Sequence, residues 1–280
     1  LILINREKSF KLDVYNEYTF EDFFSKKINI KIDLFIHLAS PNFDKEREMI
    51  LKTGIFDLTK NIVDTLPAYN CNKFIYFSSC KVYGESSIFK NIYKENSILN
   101  PVSDYAKAKK LAEEEIIRLS KKNKISYIIY RLPFVYGKGM KSNLGSLIKL
   151  IDKSIPFFIF SEKIYLKKSF LSICNINEVI AHNIKNIESI NNEIMNLTDD
   201  RPISLSNFLE HYKKIKNSKS FLLVVPAFCF KIIAFLPFIG SALIKIYGNF
   251  QIDNKKLKEI LHLKSTEDCI NELVESDNIN

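Results

Sequence analysis

The chain has 280 residues, 46% of them hydrophobic and 26% charged, which is enough apolar mass for one large core or two adjoining ones. Its net charge of +9 comes from lysines spread along the whole length, and without a basic block or recognition motif this argues against a dedicated nucleic-acid groove. Five scattered cysteines and four isolated histidines give no disulfide framework, redox pair or metal-ligand spacing, so reduced thiols, a cytoplasmic setting and no metal are expected.

In chain order, "LILIN" (Leu1–Asn5) and "FKLDV" (Phe10–Val14) read as strands, followed by a helix around Phe20–Lys27. "DLFIHLAS" (Asp33–Ser40) is apolar on both faces, as strands covered by helices on either side are. A helix from about Ile55 to Leu66 carries apolar residues at 55, 58, 62, 63 and 66. The strand Lys73–Phe77, a long helix from about Asp104 to Ser120 and the strand "SYIIYRL" (Ser126–Leu132) complete the series. Strand–helix–strand alternation at this spacing implies α/β architecture with a doubly wound parallel sheet.

After Gly137 the rhythm changes. A helix near Leu144–Ile151, the apolar "IPFFIF", a strand–helix pair from Phe170 to Asn186, a short strand "IMNL" and a helix near Leu205–Ile215 follow. Two terminal helices end the chain, the last opening at Ser265 and Asp268 with capping-box spacing. Residues 1–137 with about 169–198 are expected to form one domain, and 138–168 with 199–280 a smaller interleaved lobe. The run "FLLVVPAFCFKIIAFLPFIGSALI" (Phe221–Ile244) has membrane-spanning length. Lys231 in its middle and the breaks at Pro226 and Pro237 favour a strand, a turn and a buried helix instead.

The strand "FIYFSS" ends in Ser78 and Ser79, and ligands of parallel α/β sheets bind beyond the carboxyl ends of strands. Tyr105 follows 26 residues after Ser79, and Lys109 stands four residues further on, so phenol and ammonium share one helix face. A nearby ammonium favours tyrosinate, which is expected to lower the phenol toward a range useful for proton transfer. A serine hydroxyl on the adjacent strand suits holding a substrate oxygen. The competing reading is a surface helix rich in Lys and Ala. The four-residue spacing alone is weak, and its company with Ser-Ser, "VYG" and "HLAS" argues against chance.

These stretches, with "PVSDYAKAKKLAEEE", "YRLPFVYGKG", "KKSFLSICNINEVI" and "IDNKKLKEIL", resemble the extended short-chain dehydrogenase/reductases, the NAD-dependent nucleotide-sugar epimerase/dehydratase family, from about Asp33 onward. The resemblance implies a Rossmann-type dinucleotide-binding domain with a substrate-binding lobe. It implies Ser79, Tyr105 and Lys109 as catalytic residues, Tyr105 being the acid/base and Lys109 also holding the nicotinamide ribose. Leu38, Ala39 and Ser40 would line the cofactor, Asp13 would lie near its adenine and Pro133 by its nicotinamide. Ser79, Lys81, Asn143 and Lys168 would face a nucleotide-diphosphate sugar, most simply a UDP-sugar. Arginine is more usual at the Lys168 position, so two-pronged phosphate binding is not expected there.

Two departures from the family pattern matter. Sugar 4,6-dehydratases carry Asp-Glu directly after the catalytic hydroxyl residue, whereas Cys80-Lys81 stands here, which disfavours dehydration. Epimerisation at C4 of the sugar through a transient ketone, or reduction of a 4-keto sugar, remains, as in the branch tied to surface-polysaccharide sugars. The second departure is that no Gly-x-x-Gly-x-x-Gly turn is present to seat a pyrophosphate. Leu1 reads as the opening of the family's second strand, so a longer natural protein supplying the first strand and glycine turn is expected. A non-catalytic dinucleotide-binding remnant is the competing reading. Asn5-Arg6 carries no acid for a ribose hydroxyl, which tilts the cofactor from NAD toward NADP. Oligomeric state is left open, a homodimer included.

Overall fold

The computed structural model describes residues 2–5, 16–39, 53–89, 91–140, 142–161, 166–236 and 238–278. The chain forms two units: Leu1–Val82 with Leu99–Tyr130 and Asn183–Ile194, and Tyr83–Ile98 with Arg131–His182 and Met195–Asn280. The crossings thus fall at Val82, Ile98, Tyr130, His182 and Ile194, whereas rhythm and composition suggested Gly137 and the region around 169 and 198.

In the first unit, β1 (Ile2–Asn5) pairs in parallel with β2 (Asn16–Thr19), Ile2 opposite Asn16 and Ile4 opposite Tyr18. The expected strand Phe10–Val14 lies outside the described residues. The helix Phe20–Phe24 starts from a capping box in which Thr19 Oγ1 accepts the Asp22 N–H and Asp22 accepts the Thr19 N–H. It stops before the expected Lys27 because Lys26 takes left-handed backbone, with φ 56°. β3 (Phe35–His37), β4 (Lys73–Ser79), β6 (Ser126–Leu132) and β10 (Glu193–Asn196) form a four-stranded sheet in the order β10-β6-β4-β3. β3 runs parallel to β4, with His37 opposite Tyr76. β4 extends two residues beyond the expected Phe77, so Ser78 and Ser79 are its last residues.

The helix Leu58–Thr65, entered through a π-helical turn at Thr53–Asp57, buries Ile62 and Val63. The helix Asp104–Asn123 buries Ala108, Ala112, Ile116 and Leu119, spaced along one stripe. Ser103 caps it by accepting the Ala106 N–H, Asp104 sits in its first turn and Lys121 and Lys122 in its last, each charge suiting the helix dipole. Its outer face carries Lys110–Glu114 and Arg118–Glu115 pairs. Alanines on the inner stripe let the helix approach the sheet closely, which brings Tyr105 and Lys109 to the end of β4. Phe23 stacks on Tyr69 at 4.9 Å, and the Tyr69 hydroxyl donates to the Phe23 carbonyl, so this core is sealed at both its apolar body and its polar edge.

The second unit is built from three short parallel pairs: β7 (Phe134–Tyr136) with β9 (Phe170–Ser172), β8 (Phe157–Phe160) with β11 (Leu222–Val225), and β5 (Ile92–Tyr93) with β12 (Gln251–Ile252). Helices Asn143–Asp152, Leu205–Lys216 and Thr266–Asn278 cover them, burying Ile148, Ile151, Phe208, Leu209, Tyr212 and Ile270. Asp199 is buried at the centre and accepts four hydrogen bonds, from the Ser172 N–H, Asn175, Tyr136 and Thr266. Tyr83 donates to Asn196 and accepts from Arg131, whose guanidinium lies 4.9 Å over the same ring.

The apolar run from Phe221 onward becomes β11, the helix Ala227–Ala234 and the helix Ile239–Tyr247. The expectation of a buried helix is corrected: Phe230 is buried there, but Phe228, Ile232 and Phe235 are exposed. A helix apolar on all sides can bury only one face when one neighbour covers it. Among the described residues no helix is long and apolar enough to cross a membrane.

Candidate active site

Three elements of the first unit converge at the carboxyl end of β4. Ser79, the last residue of that strand, is bound to the phenol of Tyr105 and accepts the Lys81 backbone N–H at 3.2 Å. Tyr105 lies in the first turn of the helix Asp104–Asn123, half-buried, and Lys109 one turn on is buried. The Lys109 ammonium donates to the Phe77 carbonyl at 2.9 Å and sits 4.6 Å over the Tyr76 ring and 5.8 Å from the Tyr105 ring. One turn further, the buried Glu113 accepts from Ser78 at 2.5 Å. Consecutive serines of one strand are thus each engaged by the same helix, through a phenol and a carboxylate two turns apart.

The electrostatics differ from the expectation that the ammonium lowers the phenol. Burial pushes Tyr105 up to about 12, the Ser79 bond drawing it partly back. Burial also lowers Lys109 to about 7, against the pull of the Glu113 carboxylate. Spacing on a helix reports proximity, but loss of water outweighs it here because the alanine stripe carries both groups toward the sheet. The result is a phenol that holds its proton beside an amine near the midpoint of its own titration at neutral pH.

Beside this centre β3 ends at His37, a buried imidazole 3.1 Å from Thr59 Oγ1. Thr59 spends its proton on the Ile55 carbonyl, so His37 Nε2 carries the hydrogen between them. Leu38 follows, 59% exposed, and then the half-exposed Ala39. Ser40 and Asp13 lie outside the described residues. Lys81 is exposed and Cys80 fully buried. In the second unit, Asn143 and Lys168 line one cavity together with Phe134, Leu147, Lys245 and Ile246. The Lys168 ammonium donates to Ser86 and to the Lys245 carbonyl. Pro133 lies half-buried in that unit, between β6 and β7.

The donor set fits a nicotinamide dinucleotide at the first-unit site. Of the three Lys109 N–H groups one is used on Phe77, leaving donors for ribose hydroxyls, and Leu38 presents bare aliphatic surface at the carboxyl end of its strand. Glu113 and Tyr76 were not singled out from the sequence. Glu113 lies four residues after Lys109, so the helix spacing that paired Tyr105 with Lys109 could have reached it.

A parallel α/β sheet that offers a strand-end serine to a Tyr-x-x-x-Lys helix has the fold of the extended short-chain dehydrogenase/reductases. The model for the NAD dependent epimerase/dehydratase family matches residues 3–166, and the chain belongs to that family. Its sequence is 28% identical over 227 residues to a UDP-glucose 4-epimerase of Vibrio cholerae, covering 79% of this chain and 67% of that protein. Further curated relatives, UDP-arabinose 4-epimerases of Arabidopsis thaliana among them, are matched over 26% to 44% of their own lengths. In three dimensions the chain is similar over its whole length to the UDP-Glc/GlcNAc 4-epimerase of Campylobacter jejuni, covering 92% of that chain with a TM-score of 0.76 at 16% identity. It is also similar to a UDP-glucuronic acid 4-epimerase of Bacillus cereus in complex with NAD, with a TM-score of 0.70, 19% identity and coverage of 95% and 83%.

Proposed function

We propose that the protein is an NAD(P)-dependent enzyme that acts at C4 of a nucleotide-diphosphate sugar, inverting that centre through a transient ketone. The observation that carries this reading is the bond between Ser79 and Tyr105 with Lys109 one turn behind, at the end of a central strand. Bound nicotinamide would supply the acceptor and donor of hydride. Lys109 would hold the ribose and fix the charge around the phenol, with Leu38 and Ala39 against the dinucleotide. Because burial holds the proton on the phenol, Tyr105 would first have to release it to solvent, with the Lys109 ammonium stabilising the tyrosinate. Tyr105 Oη would then take the proton from the C4 hydroxyl as hydride leaves and return it to the ketone oxygen as hydride comes back, while Ser79 Oγ orients that oxygen. The first unit is then the dinucleotide-binding domain. The second is the substrate lobe, with Asn143 and Lys168 contacting the nucleotide-diphosphate part. Names of UDP-sugar 4-epimerases among the relatives support a UDP-sugar substrate. The product class suits assembly of surface polysaccharides.

A dTDP-D-glucose 4,6-dehydratase of Dictyostelium discoideum is among the relatives, at 32% identity over 169 residues, but this chain's residues argue against dehydration, because elimination needs an acid beside the hydroxyl residue. Cys80 is buried and Lys81 is a cation at those positions. Reduction of a 4-keto sugar uses the same three groups and is the second reading. Incubation of the full-length protein with a panel of UDP-sugars, following reduced nicotinamide by absorbance and the sugars by chromatography, separates them. Inversion at C4 without net consumption of NAD(P)H is expected. Stoichiometric consumption with a 4-keto sugar, and none of the inversion, would overturn the epimerase reading.

A further inference from the structure

The helices Ala227–Ala234 and Ile239–Tyr247 pack against each other as a hairpin. Its inner side is anchored by Phe230, whose ring meets Phe160 of β8 edge-on at 5.2 Å, while Tyr247 meets the same ring at 5.0 Å. The outer side is apolar and bare. Phe228, Lys231, Ile232 and Phe235 stand at i, i+3, i+4 and i+7, one stripe of the first helix, and all are exposed. Phe228 is 63% exposed, Ile232 62% and Phe235 77%, and at the turn between the helices Phe238 is 89% exposed. Phe238 also has a positive φ of 62°, uncommon for a bulky residue. Amphipathic helices of globular proteins turn such a stripe inward, and this one is turned outward.

Charge decides what covers it. From His211 to Ile252 the sequence contains six lysines (213, 214, 216, 219, 231 and 245) and no Asp or Glu. Lys214, Lys219, Lys231 and Lys245 are exposed, and none of these four forms an ion pair among the described residues. Lys231 and Lys245 belong to the two hairpin helices themselves, so a second copy of the chain placed on this face would bring those like charges together with no acid in the hairpin to answer them, since a two-fold contact uses the same patch twice. An anionic surface with an apolar interior answers both features: phenylalanines enter the acyl boundary while lysines meet headgroup charge. We propose that the outer face of this hairpin docks on an anionic lipid bilayer, with the protein lying on the membrane surface rather than crossing it. The proposal does not depend on which reaction the chain performs.

Flotation of the full-length protein with vesicles of equal parts phosphatidylglycerol and phosphatidylcholine, against phosphatidylcholine alone, tests this, because aggregated protein does not float. Protein is expected to float with the anionic vesicles, to do so about tenfold less with the neutral ones, and to be released as salt shortens the screening length. The double substitution Phe235→Ser/Phe238→Ser is expected to abolish flotation with an unchanged melting temperature, because both rings are exposed in the folded chain. Lys231→Glu, a second and smaller change, is expected to reduce it severalfold. No flotation with anionic vesicles would overturn the proposal, as would equal flotation with both vesicle types or flotation indifferent to the aromatic substitutions. A dimer in sedimentation velocity that the double substitution dissociates, without vesicle binding, would assign the face to self-association and overturn it too.

Discussion

The hydroxyl of Ser78 donates to the carboxylate of Glu113 across 2.5 Å, with both groups buried. Strand and helix are thereby tied together one turn behind Lys109, and the same carboxylate is the charge that opposes the downward push of burial on Lys109. Glu113 is a positioning residue in this arrangement: it fixes how the helix meets β4 and how readily Lys109 holds its proton.

Replacing Glu113 with Gln keeps an acceptor for Ser78 and removes the charge. Folding stability is therefore expected to change by no more than about 1 kcal/mol, while Lys109 loses support for its ammonium. The group in the pH–rate profile that must be protonated should titrate at lower pH in the variant, by about one pH unit, with turnover at pH 8 lower than in the parent. A profile superimposable on the parent's would remove Glu113 from this role.

Acid sensitivity should trace in part to His37. Burial, reinforced by the Lys109 charge, lowers its pKa from 6.5 to about 3. Because the folded value lies below the unfolded one, the native chain binds fewer protons between these limits. The contribution of His37 to stability is therefore whole above about pH 6.5 and drains away as pH falls toward 3, by about 1.4 kcal/mol per pH unit. His37→Gln retains an N–H for Thr59 without a titrating ring. Urea unfolding at pH 7 and pH 5 is expected to show a smaller loss of stability in the variant than in the parent, and equal losses would place the acid sensitivity elsewhere.

Asp199 holds the second unit through four donors. Asp199→Ala leaves those donors buried without their acceptor and is expected to lower stability by about 3–5 kcal/mol. Asp199→Asn keeps two lone pairs but cannot accept from all four, so an intermediate loss is expected. Thermal unfolding of both variants checks the order, which would be wrong if Ala were the milder change.

How much of this was legible in the chain depends on whether a feature is local. The strand Ser126–Leu132 matches its observed bounds residue for residue, because its apolar run begins and ends at clear signals. That Ser79, Tyr105 and Lys109 would come together was legible because a strand end and a helix face each leave a pattern in a short window, and the family's motifs joined the two. The strand Asn16–Thr19 was not, since "NEYT" has no apolar alternation and gains its order from β1. Proximity of Tyr105 and Lys109 could be read from spacing, but the direction of the phenol's shift could not, because it depends on how deeply the alanine stripe seats the helix. The outward face at Phe228–Phe238 was hidden for a different reason. A segment apolar on every side has no periodicity to say which side is covered.

The central claim is that Tyr105 Oη, bound to Ser79, carries the proton of the sugar hydroxyl. Tyr105→Phe in the full-length protein removes that oxygen and little else. Turnover of the UDP-sugar substrate is expected to fall at least about 100-fold, while titration with the dinucleotide gives an affinity within about threefold of the parent's, because Lys109 and Leu38 are untouched. Turnover within about twofold of the parent, measured on the same sugar with dinucleotide bound, would contradict it.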